Sequence, residues 1–226
     1  ASLVRCEVKK TPHCTAVWIF WGVEKGKNSF SKTPCLTPLH HYPVTFMSTK
    51  TLPPLKQLCI TVKKACDALT PMILQFYTAM NSDTSMLKAD KSVFTIADGT
   101  VQHLLVESLF SGKKFRNIVG EEECAVNLTT KPYTVDNLTI PDEFCALVET
   151  TRDELVRLSS EISDQYYKEL TIFIDPIDGT REFSTGLGEQ CSVCVGFAGI
   201  EGQPLAGVVY RPITAPPTWA AGAKGE

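Results

Sequence analysis

The chain has 226 residues, of which 43% are hydrophobic and 21% charged, enough for one good core or for a domain and part of another, and of the balance expected for a water-soluble globular protein. A net charge of −3 without any extended Lys/Arg run argues against a nucleic-acid polymer as partner. The longest apolar stretch, Ala16–Gly22, is far too short for a membrane span, so no membrane partner is expected and the expected setting is cytoplasmic.

Residues 1–46 read poorly as a folded unit. They hold six Lys/Arg against two acidic residues, three of the four histidines and several Thr-Pro steps, without sustained periodicity. Two readings compete: a basic, acid-poor organellar targeting segment, or an extension upstream of a start at Met47. The second is favoured, because the Trp- and Pro-containing leader forms no amphipathic helix, and the leader is expected to be poorly ordered. The nine cysteines are scattered, and Cys191 and Cys194, three apart in an alternating segment, would point to opposite faces of a strand. Thiols in a reducing compartment are expected.

Regular patterning begins at Leu55. Leu58, Val62, Ala65, Leu69, Ile73 and Phe76 fall at helical spacing over Leu55–Met80, with Pro71 as an expected kink or break. Asp98–Phe110 is predicted as a second helix with Asp98 at its N-cap. Asn117–Glu121 is a short strand with an acidic end, residues 123–148 are read as an inserted polar loop, and Glu149–Ile162 is predicted as a charged surface helix. Glu169–Asp175 is predicted as a strand buried on both faces, and Ser192–Ala198 with Leu205–Tyr210 as a hairpin. The whole implies an α+β fold in which a helix pair packs on a mostly antiparallel sheet.

Three acidic segments carry the chemistry. In Asp175-Pro-Ile-Asp178-Gly-Thr180, two carboxylates leave a strand through a turn fixed by Pro176, while Gly179 permits close backbone approach. Asp175, Asp178 and the Ile177 carbonyl can offer oxygens to a hard divalent cation, and the amides of Gly179 and Thr180 can face a phosphate. Two aspartates near a turn can also be plain turn chemistry, and Gly120-Glu121-Glu122 can be a solvated strand end. Convergence of these carboxylates would be costly unless cations neutralised them. In Lys88-Ala-Asp90-Lys-Ser-Val-Phe-Thr95-Ile-Ala-Asp98, the N-cap role accounts for Asp98, which leaves Asp90 as the candidate base for a metal-bound water.

In this order and spacing, K-x-D-x-S-x-x-T-x-A-D, G-E-E and D-P-I-D-G-T resemble the lithium-sensitive, magnesium-dependent phosphomonoesterase superfamily. That group includes inositol monophosphatases, inositol polyphosphate 1-phosphatases, fructose-1,6-bisphosphatases and 3′(2′),5′-bisphosphate nucleotidases. Within it, Asp178-Gly-Thr-Arg-Glu-Phe183 followed by Gly186, and Ala206-Gly-Val-Val-Tyr-Arg-Pro212, look like the nucleotidase branch. The resemblance implies two or three Mg²⁺ ions on Glu121, Asp175, the Ile177 carbonyl and Asp178. It also implies a water activated by Asp90 and Thr180, a phosphate on the Gly179 and Thr180 amides, and Glu122 acting through a water or another ligand. The implied substrate is a small phosphate monoester, adenosine 3′,5′-bisphosphate going to AMP, with inositol phosphates as the alternative. By the same resemblance, residues 47–226 form the N-terminal metal-binding domain, and the W-D-x-A motif of the family's second domain has no counterpart. The chain is therefore expected to be a fragment or a truncated product, and a non-catalytic metal-binding role is the rival of another class.

Overall fold

The computed structural model describes residues 55–79, 85–87, 93–113, 115–162 and 167–224, all within the unit Leu52–Glu226. The leader 1–46 and Asp90 lie outside the described residues.

The chain enters through helix α1 (Leu55–Thr78), a short pair of antiparallel strands β1 (Ser85–Leu87) and β2 (Val93–Thr95), and helix α2 (Ile96–Leu104), which runs on into a π-helical turn, Leu105–Leu109. Strand β3 (Asn117–Gly120) follows, then β4 (Val126–Asn127), β5 (Thr134–Val135), β6 (Leu138–Thr139) and helix α3 (Asp142–Ser159). The last part holds β7 (Thr171–Asp178), a short helix α4 (Thr180–Ser184), and strands β8 (Ser192–Ala198), β9 (Pro204–Arg211) and β10 (Thr218–Ala223). The principal sheet has the order β10-β9-β8-β7-β3, antiparallel throughout except for the β3/β7 pair. Helices packed on a mostly antiparallel sheet make the fold α+β, as the patterning implies.

Burial follows periodicity. On α1, Leu58, Val62, Ala65, Leu69, Ile73 and Phe76 are all buried, and this stripe lies on β9, β10 and α3. The helix continues through Pro71, whose ring is exposed and forfeits a single intrahelical bond, so the expected break does not occur. On β8 and β9, the residues Val193, Val195, Phe197, Ala206, Val208 and Tyr210 alternate inward. No helix among the described residues is long and apolar enough to cross a membrane.

Three expectations need correction. Residues 123–148 are not a loop: they form the small β4-β5-β6 sheet and the first turns of α3, and Leu128, Tyr133, Val135, Ile140, Phe144 and Val148 are buried. Their spacing is too short for long strands, which hides the pattern behind the polar residues between them. Helix α3 starts at Asp142, with Asp142 and Glu143 in its first turn where the helix dipole favours acids. Strand β7 is buried on one face rather than both, because Ile172 and Ile174 face the helices while Phe173 is 36% exposed.

Candidate functional site

The site forms where β3 ends beside β7, its parallel partner, which runs on past it to Asp178. The N–H of Glu121 donates to the Ile174 carbonyl at 2.9 Å, which brings the acidic end of β3 beside Asp175. Gln102 of α2 holds the next residue by its backbone: the side-chain oxygen accepts from the Glu122 N–H at 2.9 Å, and its amide donates to the Glu122 carbonyl at 2.7 Å. That clamp presses on Gly120, where a Cβ would lie 2.3 Å from Gln102 side-chain atoms. Glu122 itself is buried, and Glu121 is exposed.

Strand β7 does not end at Asp175. It carries both aspartates, with a register shift between them: Asp175 faces Cys194 and Asp178 faces Ser192, so one extra residue is accommodated on β7. Pro176 and Ile177 are buried in that irregular stretch, and the Ser192 hydroxyl lies 3.4 Å from Asp178 Oδ2. Gly179 follows in the left-handed region at φ 94°, ψ 38°, and Thr180 opens α4. A Cβ on Gly179 would make only ordinary contacts at 3.5 Å, so the backbone angle, not crowding, requires glycine there.

Asp98 also lies in this corner, a place that a helix N-cap role does not imply. The N-cap of α2 is Thr95, and Asp98 stands inside the first turn as the reciprocal member of a capping box. Its Oδ2 accepts from the Thr95 N–H at 2.9 Å and from the Thr95 hydroxyl, and its Oδ1 lies 2.9 Å from Thr180 Oγ1. The T-x-x-D spacing of Thr95 and Asp98 is the signal that would have moved the cap three residues earlier and left Asp98 facing inward. The hydroxyl of Thr180 also lies 3.0 Å from the Ile177 carbonyl, so that one proton is shared between two acceptors.

The electrostatics are those of crowded acids. Burial raises the Asp98 carboxyl to about 7, opposed by its hydrogen bonds to Thr95 and Thr180 and reinforced by Glu122. Burial, a hydrogen bond with the Glu121 carboxyl, and the charges of Glu121, Asp178 and Asp98 push Asp175 up to about 9. Two hydrogen-bonded carboxyls need a proton between them, or a cation in its place. Asp175 Oδ1 is also buried without a hydrogen-bond partner, one of two such side-chain atoms among the described residues. A buried, unpartnered oxygen costs about 1–3 kcal/mol, and a hard cation is the natural partner for an acid-rich set of oxygens. The donor set therefore fits a divalent cation, although among the described residues no three His, Cys, Asp or Glu side chains already close around one point.

The structure thus brings Glu121, Asp175, Asp178, Thr180 and Asp98 to one corner, with the Ile177 carbonyl and Gly179 between them and Glu122 behind. Fold and site together define an acidic corner where β3 ends beside the longer β7. The chain belongs to the inositol monophosphatase family, whose profile matches residues 55–226. It is similar to proteins named 3′(2′),5′-bisphosphate nucleotidase 1 from Dictyostelium discoideum, 29% identical over 56% of this chain and 37% of that protein, and from Rattus norvegicus, 30% identical over 52% and 34%. It is also 28% identical to Inositol monophosphatase 3 from Xenopus laevis, over 54% of this chain and 34% of that one. The matched part is about a third of the length of these curated relatives. The solved structure of extragenic suppressor protein suhB from Bartonella henselae aligns over 76% of this chain and 49% of its own, with 17% identity and a TM-score of 0.45.

Proposed function

We propose that this chain supplies the catalytic corner of a Mg²⁺-dependent phosphomonoesterase, and that the whole protein removes the 3′-phosphate of adenosine 3′,5′-bisphosphate to give AMP. The observation that carries this reading is the convergence of Asp98, Asp175, Asp178 and Thr180, with Asp175 Oδ1 buried and unpartnered. Glu121, Asp175, Asp178 and the Ile177 carbonyl would hold the ions. Bound there, Mg²⁺ would neutralise the phosphate, acidify a water and stabilise the leaving alkoxide.

The chain's own residues supply the rest. When the Thr180 hydroxyl donates to Asp98, a lone pair of Oγ1 is left to accept a proton from the attacking water, so hydroxyl and carboxylate relay that proton. The water oxygen bonds to phosphorus, the P–O ester bond breaks, and the ribose oxygen leaves and takes up a proton. The N–H groups of Gly179 and Thr180 would orient the phosphate, and Glu122 would act through an intervening water. Asp90 remains a second candidate base, and the two are separated by comparing variants. If Asp98 is the base partner, Asp98→Asn lowers turnover by about a hundredfold or more while Asp90→Asn stays within a few-fold; the opposite order assigns the role to Asp90.

The substrate assignment is supported by the Asp178–Phe183 run with Gly186 and by the names of the slime-mould and rat relatives. The frog relative of similar identity keeps inositol phosphates as the second reading. The test is Mg²⁺-dependent phosphate release from both substrates by this chain and by a chimera carrying the C-terminal portion of the rat relative. Adenosine 3′,5′-bisphosphate should be the better substrate; a tenfold advantage for inositol monophosphate would overturn the choice. Silence of the chain alone with an active chimera means that the corner works only when the rest of the protein is supplied, and silence of both defeats the enzymatic reading in favour of the non-catalytic metal-binding role.

A further inference from the structure

The Cys191 thiol makes a close contact with the backbone of the site. Cys191 is 1% exposed just before β8, and its Sγ lies 3.1 Å from the Gly179 carbonyl oxygen. For comparison, the Cys145 thiol lies 3.9 Å from the Pro141 carbonyl oxygen. The same Gly179 oxygen accepts the Phe183 N–H at 2.9 Å, so two donors from different segments converge on it and engage both lone pairs.

In a trans peptide the C=O and the following N–H point in opposite directions. Holding the Gly179 oxygen against Cys191 and Phe183 therefore sets the direction of the Thr180 N–H, which stands in the first turn of α4 and has no partner inside the helix. An external hold matters here because residue 179 is glycine at φ 94°, the residue type with the widest choice of backbone angles. The Thr180 side chain, 2.9 Å from Asp98, moves with the same peptide.

We propose that Cys191 is a positioning residue: its S–H fixes the Gly179–Thr180 peptide and so aims the Thr180 N–H and hydroxyl at the phosphate position. The inference rests on the reading of residues 175–180 as a cation and phosphate site. Cys191 could instead merely fill the space beside Gly179, and two substitutions distinguish these roles. Cys191→Val keeps a similar shape without a donor, whereas Cys191→Ser keeps a donor.

Two measurements are made on the whole chain: hydrogen exchange at the Phe183 N–H without ligand, and calorimetric affinity for inorganic phosphate in the presence of Mg²⁺. Loss of one such bond should weaken phosphate binding about five- to tenfold in Cys191→Val and speed Phe183 exchange by a similar factor. Cys191→Ser should stay within about twofold of the parent in both. Parent-like exchange and binding in Cys191→Val, or Val-like behaviour in Cys191→Ser, would overturn the proposal. If the parent chain binds no phosphate, the reading of residues 175–180 fails, while the exchange comparison still decides whether the thiol holds the peptide. Should Cys191→Val not fold, Cys191→Ala removes the same donor without adding a methyl group.

Discussion

Along β7, Ile172 and Ile174 point into the helix layer at 0% and 3% exposure, and their neighbours on β8 complete an apolar contact that needs nothing else. One residue further, Asp175 is pushed up to about 9 and keeps an oxygen without a partner. The same strand thus joins a region whose interactions are complete within the chain to one that leaves a buried acid oxygen unpartnered, which on the proposed reading a cation would complete. The apolar part holds the shape; the acidic part is held against its own repulsion by that shape. Stability and site chemistry should therefore separate under mutation.

The sharpest separation is expected at Asp175. Asp175→Asn removes a buried, crowded acid, so without metal the thermal midpoint at pH 8 should equal or exceed that of the parent. Mg²⁺ should then no longer raise it, and phosphatase activity should fall by about a thousandfold or more, equivalent to about 4 kcal/mol. Asp178→Asn should lose activity and Mg²⁺ response alike, with the fold intact by circular dichroism. A large drop in metal-free stability for Asp175→Asn would break the comparison, because it would make the acidic corner part of what holds the fold.

The converse substitution is Leu69→Ala on α1, at a position 0% exposed in the apolar region. It should cost about 2–5 kcal/mol of stability, read from denaturant unfolding, because it removes buried methyl groups and leaves a cavity. The residual folded protein should respond to Mg²⁺ as the parent does. Loss of the Mg²⁺ response at temperatures where the variant remains folded would show that core and corner are coupled.

How much of this division is legible in the sequence depends on the length of each pattern. The α1 stripe repeats over enough turns to be read directly, and the β8/β9 alternation is interrupted only at Gly199–Gln203. The β4-β5-β6 sheet is opaque because each strand has two residues, too few for an alternation to show, and of its buried residues Val135 lies in β5 while Leu128 and Ile140 lie just past β4 and β6. In the acidic corner, Asp175, Asp178 and Thr180 belong to one run, so a local pattern suffices to bring them together. Local chemistry explains an aspartate at 98 as an ordinary helix cap, so no local pattern places it in the corner. Its bond to Thr180, across 82 residues, is tertiary information that no local pattern carries.

A smaller effect tests the electrostatics of the acidic corner. In the metal-free folded chain, Asp175 and Asp98 hold protons up to about pH 9 and about pH 7, whereas in the unfolded chain they release them near the ordinary value of 3.8. For acids with raised values the contribution to stability is present at low pH and is lost as pH rises through the folded values. Metal-free stability should therefore decline between about pH 4 and pH 9, by at most about 1.4 kcal/mol per pH unit for each proton involved. On the proposed reading Mg²⁺ would replace those protons, so its stabilising effect should grow over the same window. Thermal melts at pH 6, 7 and 8.5 with and without Mg²⁺ check both slopes; a Mg²⁺ effect that shrinks as pH rises would contradict the cation reading.

The smallest expected effect concerns the joint between the two regions. Gly179→Ala meets no obstacle, since the nearest atoms to its Cβ would be Cys191 Sγ and Glu182 Oε2 at 3.5 Å. The cost is then that of placing a Cβ-bearing residue at φ 94°, about 1–2 kcal/mol in the left-handed region. Gly120→Ala differs in kind, because its Cβ would displace Gln102 and with it both bonds to the Glu122 backbone. If glycine at 179 serves only the backbone angle, Gly179→Asn should recover part of the stability lost in Gly179→Ala, since asparagine enters that region more readily. Gly120→Asn should recover nothing, because its side chain meets Gln102 as surely as alanine does. Denaturant midpoints for the four variants make the comparison, and recovery at 120 but not at 179 would reverse the assignment of strain and crowding to the two glycines.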